Sequence, residues 1–196
     1  MKKLALLASL LIVLTGCQST SGDSRFNPAV ARTNVDKVAV FVANDFRTEK
    51  SIVERINKKG TQAIEVTRAI EFIKGEDKIQ ETLRGQGVTH LLMVKGTINE
   101  ANTYYAGTIT NSHMNFNSFG TGYGTASGSS YSIPTYGSNN YAHVVGELYD
   151  IEGELVWVTD VHLEAQGTMY TGQEAMSNGI AKGVVAEMAK SKLLAK

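Results

Sequence analysis

Between Leu4 and Leu14 the chain is apolar except at Ser9, a run of export-signal length that is too short to cross a bilayer as a stable helix. Lys37–Ala43 is a second, near-continuous apolar run of strand length, which predicts a strand covered on both faces. Ile52, Val53 and Ile56 then fall at helical spacing and predict a helix over Thr48–Lys59. Thr48 or Ser51 would cap it, and Gly60 stands where it should end. Ile64 and Val66 alternate within a second strand, Thr61–Thr67. Ala69–Ile73 fits either a helical turn or a strand extension. Ile79 and Leu83 share one face of a short helix that opens at Glu76 or Asp77 and closes at Gly85 and Gly87. Leu91, Leu92, Met93, Val94 and Ile98 mark a third strand from about Thr89.

The pattern changes towards the C-terminus. Tyr141–Tyr149 and Leu155–Glu164 are two β-rich runs flanking Asp150–Glu154, where Gly153 supplies the positive φ of a short hairpin loop. Leu148 opposite Trp157 and Val144 opposite Val161 put four apolar side chains on one face. A one-residue slip brings Glu147 and His143 into that face instead, so the first register is predicted. Met176, Ile180, Val184 and Met188 form a stripe on a last helix, Gln173–Leu193. Gly179 and Gly183 beside the stripe predict close packing on the sheet; Lys182, Glu187, Lys190 and Lys192 argue against a membrane span.

Strands alternating with helices, followed by a hairpin, predict an α/β (α+β) domain: a single mixed sheet with helices packed on it, in the order β-α-β-α-β-(insertion)-β-β-α. The domain is expected over 35–196, preceded by a flexible tether over 17–34 that is polar and broken by Gly22 and Pro28.

The insertion, at about 102–141, is the most unusual stretch. No Asp, Glu, Lys or Arg occurs from Ala101 to Gly146. Tyr104, Tyr105, Tyr123, Tyr131, Tyr136 and Tyr141 lie here among Ser, Thr, Asn and Gly, with Phe116 and Phe119. A glycine-rich phosphate cradle needs a strand before it, a helix after it and a lysine, and neither of the last two is present. Three readings remain: a low-complexity insertion without packed structure, a recognition surface, or an amphipathic hairpin that enters a membrane. Tyr with Ser, Gly and Asn is the composition of adaptable binding loops. Tyr104, Tyr105, Tyr123, Tyr131 and Tyr136 are therefore the candidate partner-binding residues.

The single cysteine changes the reading of the N-terminus. Met1-Lys2-Lys3 precedes the apolar run, and Leu14-Thr15-Gly16-Cys17 ends it. These residues resemble the lipobox of bacterial lipoproteins. The resemblance implies a signal peptide over 1–16, cleavage between Gly16 and Cys17, and acylation of Cys17. Three acyl chains hold far more firmly than one, since each buried CH₂ contributes about 0.8 kcal/mol. Gln18, a residue other than Asp after the cysteine, implies sorting to the outer membrane, with the domain facing the periplasm.

Charge then excludes some partners. The chain carries 19 basic and 19 acidic residues, and losing Lys2 and Lys3 leaves a slight acidic excess. Neither a nucleic-acid footprint nor a polybasic membrane patch is visible. His90, His113, His143 and His162 show no metal-ligand spacing. The predicted register sets His143 against His162 on the face away from Trp157, with Asp160 and Glu164 along the same edge; a metal or pH-sensitive site would fit there, and a solvated polar face is the preferred reading. Asp45 stands where α/β proteins place functional groups, and where a helix-entry turn would also place it. No serine lies in a nucleophile elbow. The expectation is no catalytic set, no metal and no cofactor.

Leu148-Tyr149-Asp150, Gly153 and Leu155-Val156-Trp157, with the order of elements, resemble a class of bacterial envelope lipoprotein domains. That class includes the curli secretion lipoprotein, the penicillin-binding-protein activator lipoprotein and the N-terminal domain of the Tol-system β-propeller protein. The resemblance implies the fold and an envelope setting. The expected role is a non-catalytic binding or assembly factor whose partners are the membrane, through its lipid, and an envelope protein or cell-wall component. The alternative is a subunit of a self-assembling ring or secretion complex that uses 102–141 as an inserted hairpin.

Overall fold

The computed structural model describes residues 17–32, 34–118 and 124–195, with side chains described outside 76 and 114–127. The expected signal peptide over 1–16, Gly16 included, and Tyr123 lie outside the described residues. Seven strands form one mixed sheet: β1 (Gln18–Phe26), β2 (Lys37–Val42), β3 (Gln62–Glu65), β4 (His90–Ile98), β5 (Asn102–Ser118), β6 (Gly124–Asp150) and β7 (Leu155–Gln166). Four helices accompany it among the described residues: α1 (Phe46–Lys58), α2 (Thr67–Ile70), α3 (Glu76–Gly85) and α4 (Gln173–Lys190). The order across the sheet is β1-β7-β6-β4-β2-β3, with β5 paired to β6 beyond the others. β2 lies parallel to β3 and β4, as a β-α-β unit requires, and the remaining pairs are antiparallel.

The principal core lies between the sheet and the α1–α4 layer. Val38, Val40, Leu92, Val144, Leu148, Trp157 and Val161 meet Ile52 and Ile56 of α1 and Met176, Ile180, Val184 and Met188 of α4. Each such fully buried side chain contributes about 1.5–3 kcal/mol. The Trp157 indole N–H donates to the Ser191 hydroxyl at 3.0 Å, so its polar atom is satisfied too. Gly183 packs against Val161, and Gly179 against the Gln18 side chain, which is the close approach expected of both glycines. A smaller cluster on the opposite face joins Ala39, Val66, Leu83 and Val88 under α3.

The hairpin register follows the burial argument: Leu148 faces Trp157, Val144 faces Val161 and His143 faces His162. Gly153 has φ 93. Three expectations are corrected. The segment 18–26, expected in a flexible tether, is the edge strand β1, paired with β7 along its whole length. Its inward positions reach α4 by polar contacts, Gln18 Nε2 to the Ala175 carbonyl at 3.0 Å and Ser24 Oγ to Glu187 at 3.0 Å, which apolar periodicity cannot reveal. The cap of α1 is Asp45, whose carboxylate accepts from the backbone N–H of Arg47 and Thr48; neither Thr48 nor Ser51 holds that place. And the described part of the 102–141 stretch, for which an insertion without packed structure is one of the three readings, is β5 and the part of β6 from Gly124 to Tyr141.

Candidate functional site

β6 is twice as long as the sheet that surrounds it. Its C-terminal half pairs with β7 on one side and β4 on the other, the last β7 contact being Asn139 opposite Gln166. Asn139 also pairs with Asn102 of β5, and N-terminal to Asn139 the strand partner of β6 is β5 alone among the described residues. Beyond that row the sheet narrows to a two-stranded arm. The seventeen residues of β5, at about 3.3 Å each, extend on the order of 55 Å.

Tyrosine, threonine and isoleucine suit an extended pleated backbone, which accounts for a ribbon in a sequence of low complexity. Its two faces differ. Gly107, with φ 131, follows a bulge that displaces Ala106 from the pairing between Tyr105 and Gly107. Without that extra residue Ile109 would point to the opposite side. With it, Tyr104, Ile109, Tyr131 and Ile133 share one face, where the Tyr104 ring lies across Gly137 and Asn111 Nδ2 donates to the Tyr131 hydroxyl at 3.2 Å. The other face carries Tyr105, Thr108, Thr110, Ser130, Ser132 and Tyr136. There Tyr105 and Tyr136 meet edge-on at 6.1 Å, the Tyr105 and Thr108 hydroxyls are hydrogen-bonded, and Thr110 bonds Ser132 at 3.0 Å. Tyr104, Tyr105, Ile109, Tyr131, Ile133 and Tyr136 are each at least half exposed. The four described tyrosines among those singled out by sequence thus form two surfaces, Tyr104 with Tyr131 and Tyr105 with Tyr136. Ile109 and Ile133 belong to the first, and their apolar type in an uncharged run was the signal for them.

Cys17 stands at the root of this arm. Its carbonyl accepts from the Gln166 N–H at 2.8 Å, and Gln166 pairs with Asn139, which pairs with Asn102. Cys17, Gln166, Asn139 and Asn102 therefore form one row across the end of the sheet, roughly 14 Å wide at about 4.8 Å per strand. The cysteine is exposed.

Other candidate chemistry is engaged structurally. His143 and His162 stack with ring centroids 4.4 Å apart and an interplanar angle of 10°. Asp160 lies 3.6 Å from His143 Nε2 and 3.0 Å from Arg25. Among the described residues no group of three or more His, Cys, Asp or Glu is placed to hold a metal ion. His90 is buried, and that burial holds its imidazole below the usual histidine range against the opposing pull of Asp150 and Asp36. On the open face, a hydrogen bond from Lys95 at 3.0 Å lowers the Glu147 carboxyl and raises the Lys95 ammonium. A cleft of about 440 Å³ opens where β2 and β4 end, beside Asn44, Asp45 and Gln173. Asp45 there is committed to capping α1 and to a bond with the Thr48 hydroxyl.

No family model matches this chain, and no curated protein does. Among solved structures, the chain is similar to the PelC dodecamer from Paraburkholderia phytofirmans, at 19% identity and a TM-score of 0.44, covering 91% of this chain and 99% of that one. It is also similar to a PDZ domain protein from Parabacteroides distasonis, at 11% identity and a TM-score of 0.34, covering 96% of this chain and 40% of that one.

Proposed function

We propose that this protein is a lipid-anchored, non-catalytic assembly factor of the bacterial outer membrane whose β-arm enters the bilayer that holds its acylated Cys17. The observation that carries this reading is the shared row of Cys17 and the arm's root at one end of the sheet. An anchor at Cys17 brings the bilayer to that end, and the strands of the arm run on from the same end. The arm has the length for a crossing, since a tilted strand spans the hydrocarbon core with about 9–11 residues. It has no Asp, Glu, Lys or Arg to desolvate. Its Tyr104–Ile109–Tyr131–Ile133 face suits lipid, and its Thr and Ser face suits a polar interior.

A lone hairpin in lipid would leave both outer edges without hydrogen-bond partners, at a cost of several kcal/mol per group. Entry therefore goes with assembly: neighbouring copies pair arm to arm and remove the edges. The arm is thus both the insertion element and the contact between subunits.

The test uses the acylated full chain reconstituted in vesicles. Protease added outside should spare the arm in the wild type and cleave it in an Ile109→Lys, Ile133→Lys variant, and crosslinking should give a ladder that ends at one size. An arm cleaved as fast in vesicles as in detergent would end the insertion reading. In that case unchanged co-purification of envelope proteins after deletion of 105–136 would end the binding role as well.

A further inference from the structure

We infer that the groove between the C-terminal halves of α1 and α4 is a binding site for an acidic peptide segment of a partner protein. The groove measures about 330 Å³, with Val185, Ala186 and Ala189 in its wall and Arg55, Lys58, Lys59 and Lys182 around it. The two helices run side by side in the same direction, with Arg47 bonded to Gln173 near their starts and Ser51 to Asn178 a turn later. The next step along that seam brings Arg55 and Lys182 to the same groove. Opposite charges are the ordinary solution for facing helix positions, and like charges destabilise the contact.

Among the described residues no acid is paired with these four cations. Of the acidic residues on these helices, Glu49 turns inward to the backbone N–H of Val66 and Thr67, and Glu187 turns to Ser24 and Lys190. Glu54 and Glu174 are not in the groove lining. None of Arg55, Lys58, Lys59 and Lys182 makes an ion pair among the described residues. The helix dipole favours cations in the last turn of α1 and accounts for Arg55 and Lys58. It gives no reason for Lys182, in the middle of α4, to join them.

The apolar wall and the position of the groove select the occupant. A free phosphate needs no methyl-lined wall, whereas a peptide with carboxylates on either side of a small apolar side chain uses both parts. Lys59 and Gly60 lead to Gln62, which pairs with Lys37 at the end of the sheet opposite Cys17. The groove therefore lies towards the end of the sheet opposite the Cys17 row, where the proposed anchor leaves room for a soluble partner. This inference does not depend on arm insertion.

Fluorescence anisotropy of the full-length protein in detergent tests it, with a labelled peptide of alternating Glu and Ala and a counterpart in which Gln replaces every Glu. The Glu peptide should bind at low salt and the Gln peptide should not. An Arg55→Gln, Lys182→Gln variant should weaken binding at least about tenfold, the equivalent of about 1.4 kcal/mol. Lys78→Gln on α3 should leave binding unchanged. If the double variant loses its thermal transition, Lys58→Gln, Lys59→Gln replaces it with the same expectation. Equal binding of the two peptides, wild-type affinity in the groove variants, or capture of phosphatidylglycerol vesicles with no binding of the Glu peptide would each overturn the proposal.

Discussion

Gly183 of α4 lies so close to Val161 of β7 that a Cβ at residue 183 would fall 2.6 Å from the valine Cγ1. Both residues are buried, and a β-branched side chain in a packed core has no alternative rotamer to retreat to. Gly183→Ala should therefore destabilise the protein by about 1–3 kcal/mol through overpacking, in spite of the roughly 1 kcal/mol that alanine gains in helix propensity. Gly85 ends α3 in open space, with nothing within 4 Å of the point where an alanine methyl would stand, so Gly85→Ala should stabilise by about 0.5–1 kcal/mol. Urea denaturation of the two variants should move in opposite directions.

Glu49 holds the turn between β3 and α2. Its Oε1 accepts from the N–H of Val66 and of Thr67, each at 2.8 Å. The Val66 N–H also reaches the Val40 carbonyl at 3.2 Å, so only Thr67 is orphaned when the carboxylate is removed. Glu49→Ala should cost about 1–3 kcal/mol, and Glu49→Gln, which keeps an acceptor oxygen, should cost less. Thermal denaturation of the pair reads this difference; equal losses would mean that volume matters here and the hydrogen bonds do not.

Stability should fall as pH drops below the range of an ordinary histidine. Burial lowers the proton affinity of His90 in the fold, while in the unfolded chain the imidazole titrates near 6.5. Below that pH the unfolded state binds more protons than the folded one, so stability is present above about 6.5 and is lost as pH falls towards the lowered folded value. His90→Gln should flatten this part of the profile, measured by urea midpoints between neutral and mildly acidic pH.

Asp45→Ala should cost about 0.5–2 kcal/mol by removing the cap of α1. Asp45→Asn, which keeps a cap acceptor, should recover most of that loss in the same denaturation experiment.

The hairpin of β6 and β7 was legible because it has one wet and one dry side: Leu148, Val144, Trp157 and Val161 could be buried together in only one register. The helices were legible for the same reason, through Ile52 and Ile56 or Met176 and Ile180. β1 was not. Its positions alternate between half-buried and exposed, yet Gln18, Thr20, Gly22 and Ser24 fill the inward side, and polar contacts to α4 replace apolar burial. The arm was illegible as structure because, among its described side chains, both faces are exposed, so no core imposes a period of two on its composition. Its chemistry could be read and its division into two faces could not, since that division depends on one displaced residue, Ala106.

β1 begins one residue after Cys17, and this shortness has a mechanical meaning. Under the proposed acylation of Cys17, tension from a membrane would enter the domain along the axis of β1 and load its ladder to β7 in shear. The pull is then shared across the nine residues of that strand; it does not open the bonds one after another from an end. So anchored, the domain would be gripped like a blade in a handle, its tilt against the bilayer set by the sheet itself.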